Sequence, residues 1–394
     1  MTAAPVRTED AKRSAERARA TWKALRRLHD RRTDLYHEPS SGLLARLGAK
    51  RSPPEHLWPF AGAWAAALAV ATLPDRSPAA AAVSGSPTAG LAGSWAPAAL
   101  GERWRRVLDG HLRGMSAYAP PSTPVLDASA IGPLRLEAGA WPRPGGGGDA
   151  YYDDNAWIAL NLYAHCEVTG DRSCLPIASR ILDFVLSGWS AERDWSHPGG
   201  IRWAEPPWSR TRNTCSNAPA AEAALLAHIR HGEAGRLERA MAILGWVDGS
   251  LRSPKGLYND RIDPDGAVTS DLWAYNQGTM IGARVLCFEA TDESAHLEQA
   301  VATANACATW LGDWPTLERQ PPPFLAIFLR NLLLLGAHRD VGSGIAQVAR
   351  FADWAWEHER HESTGLFRTG ELRVNRTAGM ASIYALLAGA LPQP

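Results

Sequence analysis

The sequence predicts an all-α protein: an (α/α)6 toroid of six helical hairpins, forming a single domain over residues 1–394. Three observations predict it. Apolar residues recur at helical spacing along most of the chain, and no alternating run is long enough for a useful strand. The helical patterns number twelve. They alternate in character, amphipathic and charged against apolar nearly all round, and a helix apolar on every side is a buried one. Six buried helices alternating with six amphipathic ones describe an inner ring inside an outer ring.

The first pattern, near 11–32, is charged ("AERARATWKALRRLHDRR") and forms an outer stave. The second, near 55–73, carries "FAGAWAAALAVA" and belongs inside. The stretch 74–96, with "SPAAAAVSGSPTAGLAGS", is small-residue and low in complexity, as a flexible connection is. The third pattern, near 97–115, is amphipathic ("ERWRRVLDGHLRG"). An inner pattern near 153–169 ("NAWIALNLYAHCEV") turns through "TGDRS" into an outer one near 172–189. The next pair, near 213–231 ("NAPAAEAALLAHI") and 233–250 ("LERAMAILGWVDGSLR"), turns through "HGEAGR". Inner patterns then lie near 271–291, 321–338 and 373–391, with outer ones near 294–312 and 340–360. The long connections 116–152, 190–212, 251–270 and 361–372 each precede an inner helix. They gather at one end of the toroid, where long ordered loops tend to carry function.

Lys+Arg and Asp+Glu balance at 41 each, which argues against a nucleic-acid or membrane-surface partner, since either would need a basic field. The basic lean of the first fifty residues reads as a solvated helix face. No run reaches the roughly 20 apolar residues of a membrane span, and no signal-peptide core is visible. A cytoplasmic location is expected, or a secreted one if a leader has been removed. Five cysteines, an odd number without a CxxC pair, fit reduced thiols acting as small hydrophobes. Seventeen tryptophans beside Asn, Gln and Asp in loops suit sugar stacking.

The segment "GGGGDAYYDDNAW" sets Asp153 beside Asp154 at the start of an inner helix. One acid would serve as a cap. A second adds repulsion, useful only where it raises one carboxyl's pKa and leaves the other ionised. In the first turn both can lean toward the open end, at roughly the 5–5.5 Å spacing used by retaining glycosidases. In "HPGGIRWAEPPWSRTRNTCSNAPAAEAAL", Gly199 and Gly200 permit a tight turn before Trp203 and Trp208, and a polar cluster with Asn217 opens the next inner helix, where plain capping is the competing reading. In "DLWAYNQGTMIGA", Tyr275, Asn276 and Gln277 open another; their amides need partners if buried. "GLYNDRIDPDGAV" contains Asp260 and reads as a turn or small hairpin, without EF-hand spacing. "GGGG" does not make a dinucleotide loop, "HERH" falls one residue short of a zincin motif, and no metal or cofactor is expected.

These segments resemble glycoside hydrolase family 76, the endo-α-1,6-mannanases, with the related fungal transglycosylases of cell-wall assembly. The resemblance rests on Tyr152–Trp157, on Gly-Gly-Ile-x-Trp at 199–203, on Ser216-Asn217 opening an Ala-rich helix, and on Tyr275–Gly278. It implies the (α/α)6 fold and an endo-acting retaining mechanism on α-1,6-mannosidic linkages. Asp153 would be the nucleophile and Asp154 the acid/base. Trp203, Asn217, Asp260, Tyr275, Asn276 and Gln277 would contact an oligosaccharide or glycan substrate. Arg202 departs from the family's two aromatics after Gly-Gly-Ile, which would alter a subsite or admit an anionic substrate. Transglycosylation uses the same acid/base. A non-catalytic glycan-binding toroid would have no need of two repelling acids.

Overall fold

The computed structural model describes residues 8–38, 53–73, 100–120, 131, 133–135, 147–192, 195–367 and 373–389. Within them lie thirteen α-helices and five two-residue strands. All twelve predicted helices are present. They are α1 (Thr8–Leu25), α2 (Leu57–Ala71), α3 (Glu102–Met115), α4 (Tyr152–Thr169), α5 (Leu175–Ser187), α6 (Thr214–His231) and α7 (Arg236–Ser250), followed by α8 (Ala274–Thr291), α9 (Ser294–Trp310), α11 (Pro322–Gly336), α12 (Gly342–His358) and α13 (Arg373–Leu387). The thirteenth, α10 (Trp314–Glu318), is an unpredicted single turn, opened by Asp313, whose carboxylate accepts from the Thr316 backbone N–H at 3.2 Å. The connection 74–96 lies outside the described residues.

The two rings form as the burial pattern predicts. The inner helices α2, α4, α6, α8, α11 and α13 each pack on the next, and α13 returns to α2. The outer helices α5, α7, α9 and α12 pack on the inner helix that precedes each of them. Closure is not simply sequential, because α13 takes α1, from the opposite end of the chain, as its outer partner. The sixth hairpin is therefore assembled from both ends of the sequence. Trp22 and Leu25 of α1 are buried there, and the Arg17 guanidinium lies over the Trp356 and Tyr384 rings while pairing with Asp353.

Small residues let the inner helices approach closely. A Cβ at Gly278 of α8 would stand 2.6 Å from Phe328 Cα of α11, so no side chain fits there. Inside the ring, Glu222 of α6 pairs with Arg330 of α11, although α8 stands between those two helices in the ring order. Glu222 is fully buried and Arg330 only partly so, and the buried carboxylate depends on that guanidinium for its charge.

Two sequence expectations are corrected. The first helix stops at Leu25 instead of continuing to 32: a 3-10 turn follows, and β1 (His29–Asp30) pairs antiparallel with β2 (Leu35–Tyr36). The turn brings Tyr36 onto His111 of α3, with its hydroxyl 2.9 Å from Nε2, inside an aromatic cluster with Trp22, His29 and Phe60. Secondly, Cys166 and Cys174 form a disulfide joining the last turn of α4 to the turn before α5. The reversal between the two helices brings cysteines eight apart in sequence into contact, so these two are not the reduced thiols expected from the sequence. Cys215, Cys287 and Cys307 are free thiols.

The remaining strands are β3 (Arg212–Asn213), β4 (Arg261–Ile262) and β5 (Val268–Thr269), antiparallel in the order β3-β4-β5. The β4–β5 hairpin is the one anticipated at "PDG". Among the described residues no helix is long and apolar enough to cross a membrane.

Candidate active site

Contacts among residues near the starts of α2, α4, α6, α8 and α11 gather these helix starts at one end of the ring. Asp153 and Asp154 occupy the second and third residues of α4. The N-cap is Tyr151, not an aspartate, and the Tyr152 N–H is already taken by the Trp203 carbonyl at 3.0 Å. Asp153 accepts the Asp154 backbone N–H on Oδ1 at 3.0 Å. Its Oδ2 accepts from Trp203 Nε1 at 3.1 Å and from the Cys215 thiol at 3.4 Å. Asp154 is 8% exposed. Burial raises both carboxyls. For Asp153 the donors from Cys215, Trp203 and the backbone work against that rise, leaving it at about 6. Asp154 is held well above the ordinary carboxyl range by burial and then by the charge of Asp153. Two adjacent acids are thus made unequal, one stabilised as an anion and the other kept protonated.

Trp203 is placed by a loop pinned on several sides. Gly199 (φ 110°) and Gly200 (φ 81°) cross the face of Trp246 so closely that a Cβ at Gly200 would sit 2.7 Å from its ring. Only glycine accepts both that backbone and that contact. The next residue, Ile201, gives its N–H to Asn217 Oδ1 (2.7 Å), and its carbonyl accepts from Asn217 Nδ2 (2.9 Å). Side chains alternate along an extended segment. Trp203 therefore faces Asp153, while Arg202 turns to the Tyr152 hydroxyl instead of the aspartates.

The predicted contact residues divide into two groups. Asn217 and Gln277 are fully buried, and their amides are committed to the backbone. Gln277 accepts the Tyr258 N–H and donates to the Tyr258 carbonyl, both at 2.8 Å. Each stands fourth in its helix, as does Asn155 in α4, which clasps both backbone groups of Leu134 at 2.8 and 2.9 Å. All three also donate to the carbonyl four residues back. They hold loops over the mouth instead of facing into it.

Asn276, by contrast, is fully buried and neither atom of its amide has a hydrogen-bond partner among the described residues. Tyr275 and Asp260 share the electrostatic neighbourhood of Cys215 and Asp153, and burial raises all of their pKa values. The Asp260 carbonyl accepts the Thr214 N–H at 2.9 Å, tying its loop to the start of α6.

Aromatic rings continue around the mouth. Trp157 of α4 packs at 5.5 Å on Trp58 of α2, which reaches Phe324 of α11 at 6.3 Å. Phe324 touches Trp273 at 5.7 Å and Tyr275 at 4.0 Å. Trp203 meets Tyr151 (5.0 Å) and Trp208 (6.0 Å), and Trp208 is 54% exposed. Such faces suit the apolar side of a pyranose. Sequence reasoning missed Cys215, Asn155, Trp58 and Phe324. Their shared signal is position: each lies within the first four residues of an inner helix. Among the described residues no cluster of His, Cys, Asp or Glu could hold a metal ion.

Residues 137–319 match the family model of glycosyl hydrolase family 76. A curated relative, the meiotically up-regulated gene 191 protein of Schizosaccharomyces pombe, is 27% identical over 157 residues, covering 36% of this chain. The match spans about a third (34%) of that relative's length. The fold is that of a family 76 glycoside hydrolase (mannosidase) from Bacteroides thetaiotaomicron, with a TM-score of 0.73, 17% identity and coverage of 95% and 98% of the two chains. It also matches the α-1,6-mannanase of Salegentibacter sp. HEL1_6, with a TM-score of 0.67, 19% identity and coverage of 95% and 99%. An inactive variant of that mannanase, with two consecutive aspartates changed to asparagine, is known in complex with α-1,6-mannotriose (TM-score 0.68, 18% identity, coverage 96% and 99%).

Proposed function

We propose that this chain is a member of glycosyl hydrolase family 76 that cleaves α-1,6-mannosidic linkages within a mannan or mannooligosaccharide, with retention of configuration. The observation that carries the proposal is the unequal pair. Asp153 has three donors on its carboxylate, and Asp154 has burial and a neighbouring anion to keep its proton. The relative inactivated at two consecutive aspartates, and holding α-1,6-mannotriose, supports the same pair and the same linkage.

In the first step Asp153 attacks the anomeric carbon while Asp154 gives its proton to the departing glycosidic oxygen. A glycosyl ester on Asp153 results. Asp154, now ionised, takes a proton from water as the water displaces Asp153. Two inversions return the original configuration. Trp203 has two jobs in this reading, its indole N–H holding Asp153 and its half-buried ring stacking on a sugar. In this reading Asn276, Tyr275 and Asp260 receive sugar hydroxyls, and the unpartnered amide of Asn276 supports it.

Asp153→Asn and Asp154→Asn should each lower turnover by about 10²–10⁴-fold while circular dichroism stays unchanged. Near wild-type activity in either variant removes that residue from the mechanism. Hydrolysis of α-1,2- or α-1,3-mannooligosaccharides or α-glucosides in preference to the α-1,6 series would overturn the linkage. An added sugar acceptor that diverts product into longer chains would mark the second step as transglycosylation.

A further inference from the structure

We propose that the Cys215 thiol is a positioning residue of this reaction, donating to the Asp153 carboxylate and holding it as an oriented anion beside Asp154. The inference rests on the reading of Asp153 as nucleophile.

The geometry sets Cys215 apart from the other thiols. It is the second residue of α6, 5% exposed, and its Sγ lies 3.4 Å from Asp153 Oδ2. Cys307 is buried with burial alone acting on it, and Cys287 packs on the Met241 sulfur at 3.2 Å. Both behave as small hydrophobes. Cys215 instead shares one carboxylate oxygen with the Trp203 indole, whose N–H is 3.1 Å away. A donor on each side leaves Oδ2 little freedom to rotate toward Asp154.

The thiol is itself supported. The Tyr275 hydroxyl from α8 hydrogen-bonds to Cys215, so a line of groups runs from α8 through α6 to the carboxylate on α4. Burial first, and then the charges of Asp153 and Asp260, push the Cys215 thiol well above its ordinary value. It therefore stays protonated at neutral pH. That is what a donor requires, and it is the opposite of what a nucleophilic cysteine requires.

The titratable groups around Asp153 come from each packed element. They are Asp154 on α4, Tyr151 and Asp149 in the approach to it, Cys215 on α6, Tyr275 on α8, and Asp260 in the loop before β4. Arg261 acts on Asp260, where Asp271 opposes it. Neutral donors thus have much of the work of keeping Asp153 ionised among other acids.

Removing a donor from an anion raises its pKa. Cys215→Ala should therefore move the acidic limb of kcat/KM for α-1,6-mannotetraose upward by about half a pH unit. Cys215→Ser, similar in size and a better donor, should keep the limb in place or lower it. The same shift should appear without any substrate, in the carboxyl ¹³C titration of Asp153 assigned against Asp153→Asn. Coincident Asp153 midpoints in wild type and Cys215→Ala, with Cys215→Ser as the folded control, would overturn the role of Cys215. If the carboxyl midpoint shifts but the wild-type chain leaves α-1,6-mannotetraose intact, the hydrogen bond stands and the proposed linkage falls.

Discussion

Asp153 and Asp154 are the same residue made unequal by what surrounds them. Their adjacency was legible in the sequence, where a plain cap gains nothing from a second acid. The donors were not legible: Trp203 comes 50 residues later and Cys215 62 residues later, and only the packed loop brings them to one oxygen. Activity should rise with pH through about 6 as Asp153 ionises, and fall again where Asp154 loses its proton. A flat profile from pH 5 to 7 would rule out Asp153 as the ionising nucleophile. The same shifts act on stability. A carboxyl whose folded pKa exceeds its unfolded value of about 3.9 binds its proton more tightly when folded. Such a group weakens the fold as pH climbs through that range. Asp154→Asn is neutral at every pH, so its melting temperature should exceed wild type by a few degrees at pH 7 and converge with it near pH 4. Equal melting curves at pH 7 would mean that Asp154 carries no such cost.

The elements show where a motif reading misleads. Asn217 and Gln277 sit in segments that resemble sugar-contacting motifs, and the structure uses them as clamps. Sequence alone could not separate the two uses, because an inward-facing amide and a loop-clasping amide have the same composition. Position does separate them: the fourth residues of α4, α6 and α8 clasp loops, while the third residue of α8, Asn276, does not. Each clamp satisfies both backbone groups of a buried loop residue, which would otherwise cost about 1–3 kcal/mol per group. Asn217→Ala should therefore destabilise the chain by about 2–4 kcal/mol in urea unfolding. It should also speed hydrogen exchange at the Ile201 amide and lower kcat, and because a loosened Trp203 is a weakened donor to Asp153, the acidic limb should move upward. Unchanged exchange at Ile201 would show that the loop is held by something else. Gly200→Ala should fail more severely, since it adds strain at φ 81° to a clash with Trp246.

At the scale of the molecule, the double ring was legible because burial writes itself into composition: "FAGAWAAALAVA" has no polar face to expose. The partner of α13 was not, since periodicity reports which face of a helix is buried but not against which helix. The same limit hid the disulfide, which depends on a reversal of direction and not on spacing. Because α1 closes the ring from the far end of the chain, its core contacts should support the whole toroid, α4 and its aspartates included. Trp22 tests this. It is 4% exposed and packs against Trp104 and His111, far in sequence from Asp153. Trp22→Ala should cost about 3–5 kcal/mol, a large share of the stability of an ordinary domain. If the ring is one cooperative unit, unfolding followed by far-ultraviolet circular dichroism and by loss of activity should shift together. The acidic limb at 20 °C should stay where it is, since no group near Asp153 has changed. If activity survives to the wild-type midpoint while part of the helical signal melts early, α1 and α13 form a separable stave, and the inner ring does not need its closing hairpin to hold the aspartates in place.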